Sequence, residues 1–590
     1  MKVHFYVLMA MSLITTQINA DEPTSSSNEV EEIVVSASIL NTSTINDPLY
    51  IIDGDEIMDD ATTSLGDAVD SYLGVSIADY GAAVGQPIIR GMSGPRVKIL
   101  KNGIVNRDVS GLGVDHLNDV DLNDISQVEI VKGPSSLLYA NGTIGGIINV
   151  VNDTVAKKDF DKQEINLGVE TQSVNDGDTQ QVNYKNNLNG FNVSLGYKNS
   201  EFGNFDIPSG AVIHSDHDDH DEHEGEEEEA ELSYLENSDF EVEATKFGIS
   251  KTGDWGYVGI SFDNLESVYG IPFHGEHEEE EVEGEAHPEE HGEERIFSTT
   301  DSESTSLEGS YNLNGNFINS ISYNYRDTDY ELIEDHAEEE GHEEHEGEEE
   351  HEPTVFANEA TEFGAIFDLS TDNLIQKISV NIVDEDSSVV GEEKFMEPAN
   401  NEELTLGYYF SKDFDLFNLD AGFRLDQIER TGSVKDADHN DIDFYTIDDD
   451  TTSFALSMDR DVSDTLNVNI SLASVERLPS VIELFMNGPH MATGRLETGN
   501  PNLKSETSEN FDISFNFDNG DFYASASFYM NDVDNYITLK DEDDDHAEEE
   551  DEDHPAGGHP EHEGLIHADY VQQDAEFKGY EIEFGRSFLL

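Results

Sequence analysis

The C-terminal two-thirds of the chain alternates between apolar and polar residues. Phe511, Ile513, Phe515 and Phe517 are interleaved with Asp512, Ser514, Asn516 and Asp518. Phe522, Ala524, Ala526, Phe528 and Met530 are interleaved with Tyr523, Ser525, Ser527 and Tyr529. Leu404, Leu406, Tyr408 and Phe410 repeat the pattern, as do Val468, Ile470 and Leu472. A period of two places one set on an apolar face and the other on a polar face. Residues 160–590 hold roughly 16 to 18 such runs. Runs of about ten residues, joined alternately by short turns and long loops, predict an all-β transmembrane barrel. An aqueous β-sandwich shares the alternation but rarely carries long acidic loops between paired strands. Beyond the N-terminus no stretch approaches about 18 apolar residues, which excludes a helical membrane protein.

The N-terminal part has other textures. Met1–Ala20 carries one early base, Lys2, an apolar stretch and then Ile18-Asn19-Ala20, which predicts a secretory signal cleaved after Ala20. Residues 21–39 read as a disordered arm with one short β-prone run, Glu31-Glu32-Ile33-Val34-Val35-Ser36-Ala37. An isolated run of this kind suits pairing with another protein's sheet edge, and equally well suits the first strand of the next domain. Residues 40–153 read as one α+β domain. Glycines from Gly85 to Gly146 punctuate short β-prone runs such as Val97–Leu100, Val128–Val131 and Ile147–Val151, and Leu65–Leu73 has helical spacing. The chain stops at Leu590, just after the strand-like run Tyr580–Phe588, so the barrel is expected to be incomplete at its C-terminus.

Charge narrows the function classes. The chain has 29 basic and 131 acidic residues, a formal net charge of −102. Such a surface repels phosphate, so nucleic acid is not expected as a partner. There is no cysteine, which removes disulfide frameworks, thiolate metal sites and cysteine nucleophiles together. Export without cysteine fits the outer membrane of a Gram-negative bacterium, with lipid and lipopolysaccharide as surroundings. No phosphate loop, nucleophile elbow or zincin helix is present, so no enzymatic chemistry is expected.

The histidines are not spread evenly. Seventeen of the 21 fall in four acidic runs, 214–231, 274–294, 334–352 and 541–567. The first holds His214, His217, His220 and His223, and the second His274, His277, His287 and His291. The third holds His336, His342, His345 and His351, and the fourth His546, His554, His559, His562 and His567. Sequences this polar and self-repelling do not fold alone and are expected as extracellular loops. Solvation accounts for their acids but not for the gathering of imidazoles. Neutral imidazole beside carboxylate suits a borderline divalent ion, Zn²⁺ first, with Ni²⁺, Cu²⁺ and Mn²⁺ not excluded.

Longer motifs carry a resemblance. Pro87-Ile88-Ile89-Arg90-Gly91 runs on to Gly94-Pro95-Arg96-Val97, and Val128-Glu129-Ile130-Val131-Lys132-Gly133-Pro134 to Gly145-Gly146-Ile147-Ile148-Asn149-Val150. These resemble the two signatures of the plug of TonB-dependent outer-membrane receptors. Glu31-Glu32-Ile33-Val34-Val35-Ser36-Ala37-Ser38 is similar to the box that the family offers to its periplasmic energy-coupling protein, a TonB-type partner. The resemblance implies a barrel of about 22 strands with a plug inside. It departs at Lys132, where the family usually has Arg. Lysine lacks the bidentate fork, which puts a plug–barrel clamp at this position in question.

The family also bears on the ligand. Glu476-Arg477-Leu478-Pro479-Ser480 to Asn500-Pro501-Asn502-Leu503 resembles a barrel signature shared by metal and haem receptors. Family members thought to import zinc pair a plug Asp-His with a barrel histidine. By that resemblance the roles fall to Asp115, His116 and His490, with a barrel glutamate, not assignable, as fourth ligand. The expected function is TonB-dependent uptake of a divalent metal ion. Two alternatives stay open: a haem or metal-chelate receptor of the same family, with His490 as axial ligand, and a surface metal-binding or adhesin protein that transports nothing.

Overall fold

The computed structural model describes residues 48–59, 63–209, 211, 233–272, 295–313, 315, 317–337, 352–391, 394–435, 442–542 and 565–586. The expected signal (1–20), the coupling box (31–38) and most of the four acidic runs lie outside the described residues.

Sixteen long strands among the described residues, from Glu164–Gln172 to Ile566–Arg586, are drawn into one barrel sheet. The long neighbouring strands from Glu164 onward are antiparallel, for example Tyr325↔Phe363 and Phe363↔Ile382, with register shifts at Asp461/Ser463 and Val533/Tyr536. The strands invert the amphipathicity of a water-soluble sheet. Outward positions carry exposed apolar side chains such as Phe262, Phe363, Leu406, Phe423 and Phe528. Inward positions carry buried polar ones such as Ser304, Glu362, Thr405, Arg424 and Glu506. That inversion selects the lipid-embedded barrel over the aqueous sandwich. Connections at one end are tight, as at Leu188–Phe191, Gly253–Gly256 and Phe414–Phe417. The acidic runs all fall in connections at the opposite rim, after Phe202, Gly270, Ala337 and Asp541. The wall strands reach further into these runs than the sequence suggested. Glu334 and His336 end one strand, Asp541 ends another, and His567 begins a third, because the hydrogen-bonded ladder continues past the apolar band.

The lumen holds an inner domain. Its strands are β1 (Pro48–Asp53), β2 (Val75–Tyr80), β3 (Val84–Ile89), β4 (Val97–Lys101), β5 (Ile104–Val105), β6 (Ile125–Val131) and β7 (Gly146–Asn152). Five of them form a sheet in the order β1-β6-β7-β4-β5, with β4 and β7 parallel. The β7 run Gly146–Asn152 is buried at every position, the pattern of a strand covered on both faces. The helical spacing at Leu65–Leu73 forms a shorter helix, Leu65–Val69, capped by Ser64 Oγ accepting from Asp67 N.

Ion pairs fasten this domain to the wall. Arg90 forks onto Glu581 at 2.8 Å from both Nε and Nη2, and also pairs with Asp512. Arg96 pairs with the fully buried Glu506, which Arg477 grips at 2.6 Å. Arg477 in turn holds Glu483 at 2.8 and 2.9 Å. Arg107 reaches Glu385 at 3.0 Å and Glu362 at 3.3 Å. Lys132 lies beside the Arg90 cluster, where burial pushes its ammonium down to about 7. The fastening at this level is therefore arginine's, from a neighbouring strand end, and Lys132 has no ion pair within 4 Å among the described residues. Removing Arg96 takes one of two guanidiniums from the buried Glu506, which keeps Arg477 and the Ile537 amide, so Arg96→Met should cost about 1.5–3 kcal/mol in denaturant unfolding of the detergent-solubilised protein. Lys132→Gln should leave the midpoint unchanged or raise it; equal losses for the two would contradict this assignment.

Candidate metal-binding site

The site is built on a loop of the inner domain. Asp108 ties its two ends, accepting from Ser110 N and from Asp119 N at 3.0 Å each. Gln86 Nε2, on β3, lies 3.0–3.1 Å from the carbonyls of Ser110, Gly113 and His116, which gathers the loop apex around one amide. Between these ties the chain presents Asp115 and His116, both buried to within 1 %.

Their partners come from the wall. The short hairpin Asn487–His490 and Arg495–Thr498 is inserted between strands Leu466–Arg477 and Glu506–Asp518, which pair with each other beneath it. A helix, Val481–Phe485, leads into the hairpin and starts with a full capping box between Ser480 and Glu483. Gly494 turns the hairpin in the left-handed region, with φ +62°. His490 Nε2 then lies 3.2 Å from Asp115 Oδ1, and its Nδ1 lies 3.1 Å from Glu497 Oε1. Ring packing holds both imidazoles: His116 meets Phe356 edge-on at 4.7 Å, and His490 lies 5.3 Å from Phe395.

Asp115 is the hub. One ligand atom each from Asp115, His116 and Glu334 lies within 4.8 Å of the others, and all three residues are buried. His116 Nδ1 is 3.2 Å from the Val109 carbonyl, which can only accept, so Nδ1 carries the proton. His116 Nε2 faces Asp115 Oδ2 at 3.3 Å yet makes no hydrogen bond among the described residues. A buried ring nitrogen facing a carboxylate in a dry site calls for positive charge between them, as a proton or as a metal ion. Gly113 leaves the room: a Cβ there would stand 2.4 Å from Asp115 Oδ1 and 3.0 Å from His490 Nε2.

The protonation states follow from these contacts. Burial alone would lower the His490 imidazolium, but its bonds to Asp115 and Glu497 outweigh burial and raise it to about 10. Burial alone would raise Asp115, but His116 and His490 overcome it and hold the carboxyl well below its usual range. His490 is therefore an imidazolium clamped between the carboxylates of Asp115 and Glu497.

Asp115, His116 and His490 meet as the sequence motifs implied. Glu334 is a buried wall glutamate beside Asp115 and His116, and Glu497 was not anticipated. Most run histidines, His214, His217, His220, His223, His274, His277, His287, His291, His342, His345, His351, His546, His554, His559 and His562, lie outside the described residues. His336 falls on the strand end opposite Ile296. His567 is exposed on its strand, paired with Leu496 of the hairpin.

Comparison with known proteins places the chain. A model described as TonB dependent receptor-like, beta-barrel, matches residues 171–589, and one for the TonB-dependent Receptor Plug Domain matches residues 41–147. A hemin receptor of Yersinia enterocolitica is 27 % identical over 146 residues, 24 % of this chain and 21 % of the relative. The vitamin B12 transporter BtuB of Vibrio vulnificus is 27 % identical over 121 residues, 20 % of this chain and 19 % of the relative. The chain thus spans about a fifth of the length of the curated relatives it matches. Among solved structures, the Serratia marcescens hemophore receptor HasR superposes with TM-score 0.68 at 13 % identity, covering 91 % of this chain and 78 % of that one. The copper transporter OprC superposes with TM-score 0.66 at 14 % identity, covering 92 % and 78 %. These likenesses show the fold. With a plug-type inner domain, a wall apolar outside and polar within, and family models that together match most of its length, the chain belongs to the TonB-dependent receptors of the Gram-negative outer membrane.

Proposed function

We propose that this receptor imports a divalent metal ion, Zn²⁺ first, through TonB-dependent energy coupling. The carrying observation is the buried convergence of Asp115, His116 and Glu334, with His490 at 3.2 Å from Asp115. Two imidazoles and two carboxylates suit a borderline ion better than a hard one. The four acidic runs hold 47 carboxylates, nearly half of the net charge of −102, on the rim that bears this site. Their field concentrates cations there. Capture on the runs, transfer to the buried site and release past the plug form the sequence of events. Glu31–Ser38 is the segment that the energy-coupling protein pairs with as an added strand.

Copper is the second reading. Met396 and Met486 pair through their backbones next to Phe395, and Met491 follows His490; all three are buried, and thioethers suit Cu⁺. Haem fits the site less well. Both His490 nitrogens face carboxylates and its ring lies against Phe395, which leaves no open face for a porphyrin iron.

Three measurements test the reading. Calorimetric titration of the purified full chain with Zn²⁺ should show one tight site above the weaker capacity of the runs. Glu497→Gln, which removes the carboxylate that His490 and Thr493 share, should weaken that site by about 10–100-fold. An unchanged isotherm would remove His490 from the ligand set, and a Soret band with haemin in place of zinc binding would favour the haem reading.

The second concerns protons. His490 keeps its proton up to about pH 10, so binding must displace it at any lower pH. Affinity should fall about tenfold for each pH unit of acidification near neutrality, with roughly one proton released per ion. Titrations in buffers of different ionisation enthalpy read that number directly.

The third separates transport from storage. Deleting Glu31–Ser38 should abolish uptake of ⁶⁵Zn by cells and leave binding by the purified protein intact. Undiminished uptake would make the chain a binder and not an importer.

A further inference from the structure

Below the site, the wall strand Arg295–Asn312 turns a run of hydroxyls toward the inner domain. Ser298, Thr300, Ser302, Ser304 and Ser306 occupy five successive inward positions and all are buried. The run begins at the metal site, because Ser298 stands directly opposite Glu334 in the ladder. Ser302 stands opposite Tyr330, four residues or about 13 Å along the strand from Glu334.

At that level the inner domain offers Asp119, 3 % exposed. Ser302 Oγ donates to Asp119 Oδ2 at 2.7 Å. Asp119 Oδ1 is buried with no hydrogen-bond partner among the described residues, and so is the hydroxyl of the fully buried Tyr330. Tyr330 faces the same interface as Ser302 from the adjacent strand, and the charge of Lys101 also acts on Asp119. The Asp108 oxygens are already filled by Ser110, Asn106 and Asp119 N, which leaves Asp119 as the carboxylate with capacity to spare. Two unpartnered oxygens in a dry interface are costly if nothing ever occupies them.

We infer that Asp119, Ser302 and Tyr330 form a second, oxygen-only cation station beneath the Asp115/His116/Glu334/His490 site, reached along the hydroxyl run. This rests on the import reading above. An ion leaving two imidazoles for a set of oxygens is held more weakly, so the station favours onward movement over storage. Arg326 sets its floor. Its guanidinium donates to Ser306 Oγ at 3.0 Å and to the Lys101 carbonyl of the inner domain at 3.2 Å, placing a positive charge across the run two rungs below Ser302. In the resting receptor a cation stops at Asp119.

The test is anomalous diffraction from crystals of the full chain soaked in excess Zn²⁺. Wild-type protein should show two peaks, one among Asp115, His116, Glu334 and His490 and one against Asp119. Asp119→Asn should lose only the second peak, keep the tight calorimetric site and slow energised ⁶⁵Zn uptake by at least about tenfold. A first peak with none at Asp119 overturns this inference and leaves the import reading standing. No peak at the first site overturns the import reading itself. Normal uptake by Asp119→Asn reduces Asp119 to a structural tie of its loop and overturns the station as well.

Discussion

Hydrocarbon offers no hydrogen bonds, and that constraint organises this molecule. A backbone crossing it must satisfy every N–H and C=O internally, which strands achieve only as neighbours in a continuous wall. Sixteen long strands enclose a lumen far too wide for their own side chains to fill. Something must occupy it, and whatever does so meets a wall lined with polar groups. The inner domain answers with cations at strand ends and loops: Arg90, Arg96 and Arg107 each meet wall carboxylates in a dry interface. A packed apolar seam would bind the two parts more permanently. Charge-assisted contacts are strong when closed and can be re-solvated when opened, which suits a filling that must at some point yield.

The metal site is a special case of the same interface. Elsewhere a base meets an acid across the interface, from either side: Arg90 of the inner domain reaches wall acids, and Lys246 of the wall reaches Asp121 at 2.7 Å. At the apex, an acid and an imidazole from the inner domain meet an acid and an imidazole from the wall. The arrangement lacks a fixed positive charge, and His490 supplies one by holding a proton between Asp115 and Glu497. The site is thereby stable, and under the proposed import an ion would meet a place already shaped for positive charge.

Much of this could be read from residue order, for identifiable reasons. Alternation such as Phe511-Ile513-Phe515-Phe517 survives in lipid because the wall needs it at every strand. Asp115-His116 stood out because the inner domain has no other histidine, and His490 because it lies apart from the acidic runs. Glu334 could not be singled out. It opens a run crowded with carboxylates, and only the ladder register opposite Ser298 brings it to the site. Glu497 depends on a hairpin turn at Gly494, and Ser302 looks like any polar position of an alternating strand. Lys132 was read correctly as a poor clamp, but the clamp's true owner, Arg90, required the strand end beside it.

Ownership of the donors has one more implication. Asp115 and His116 travel with the filling, while Glu334 and His490 stay with the wall. The proposed coordination shell would therefore be a clasp with one half on the filling and one on the wall. Any pull that shifts the filling unfastens it, without a competing chelator or a drop in pH. Retention and discharge are then two settings of one geometric variable, the gap between the halves.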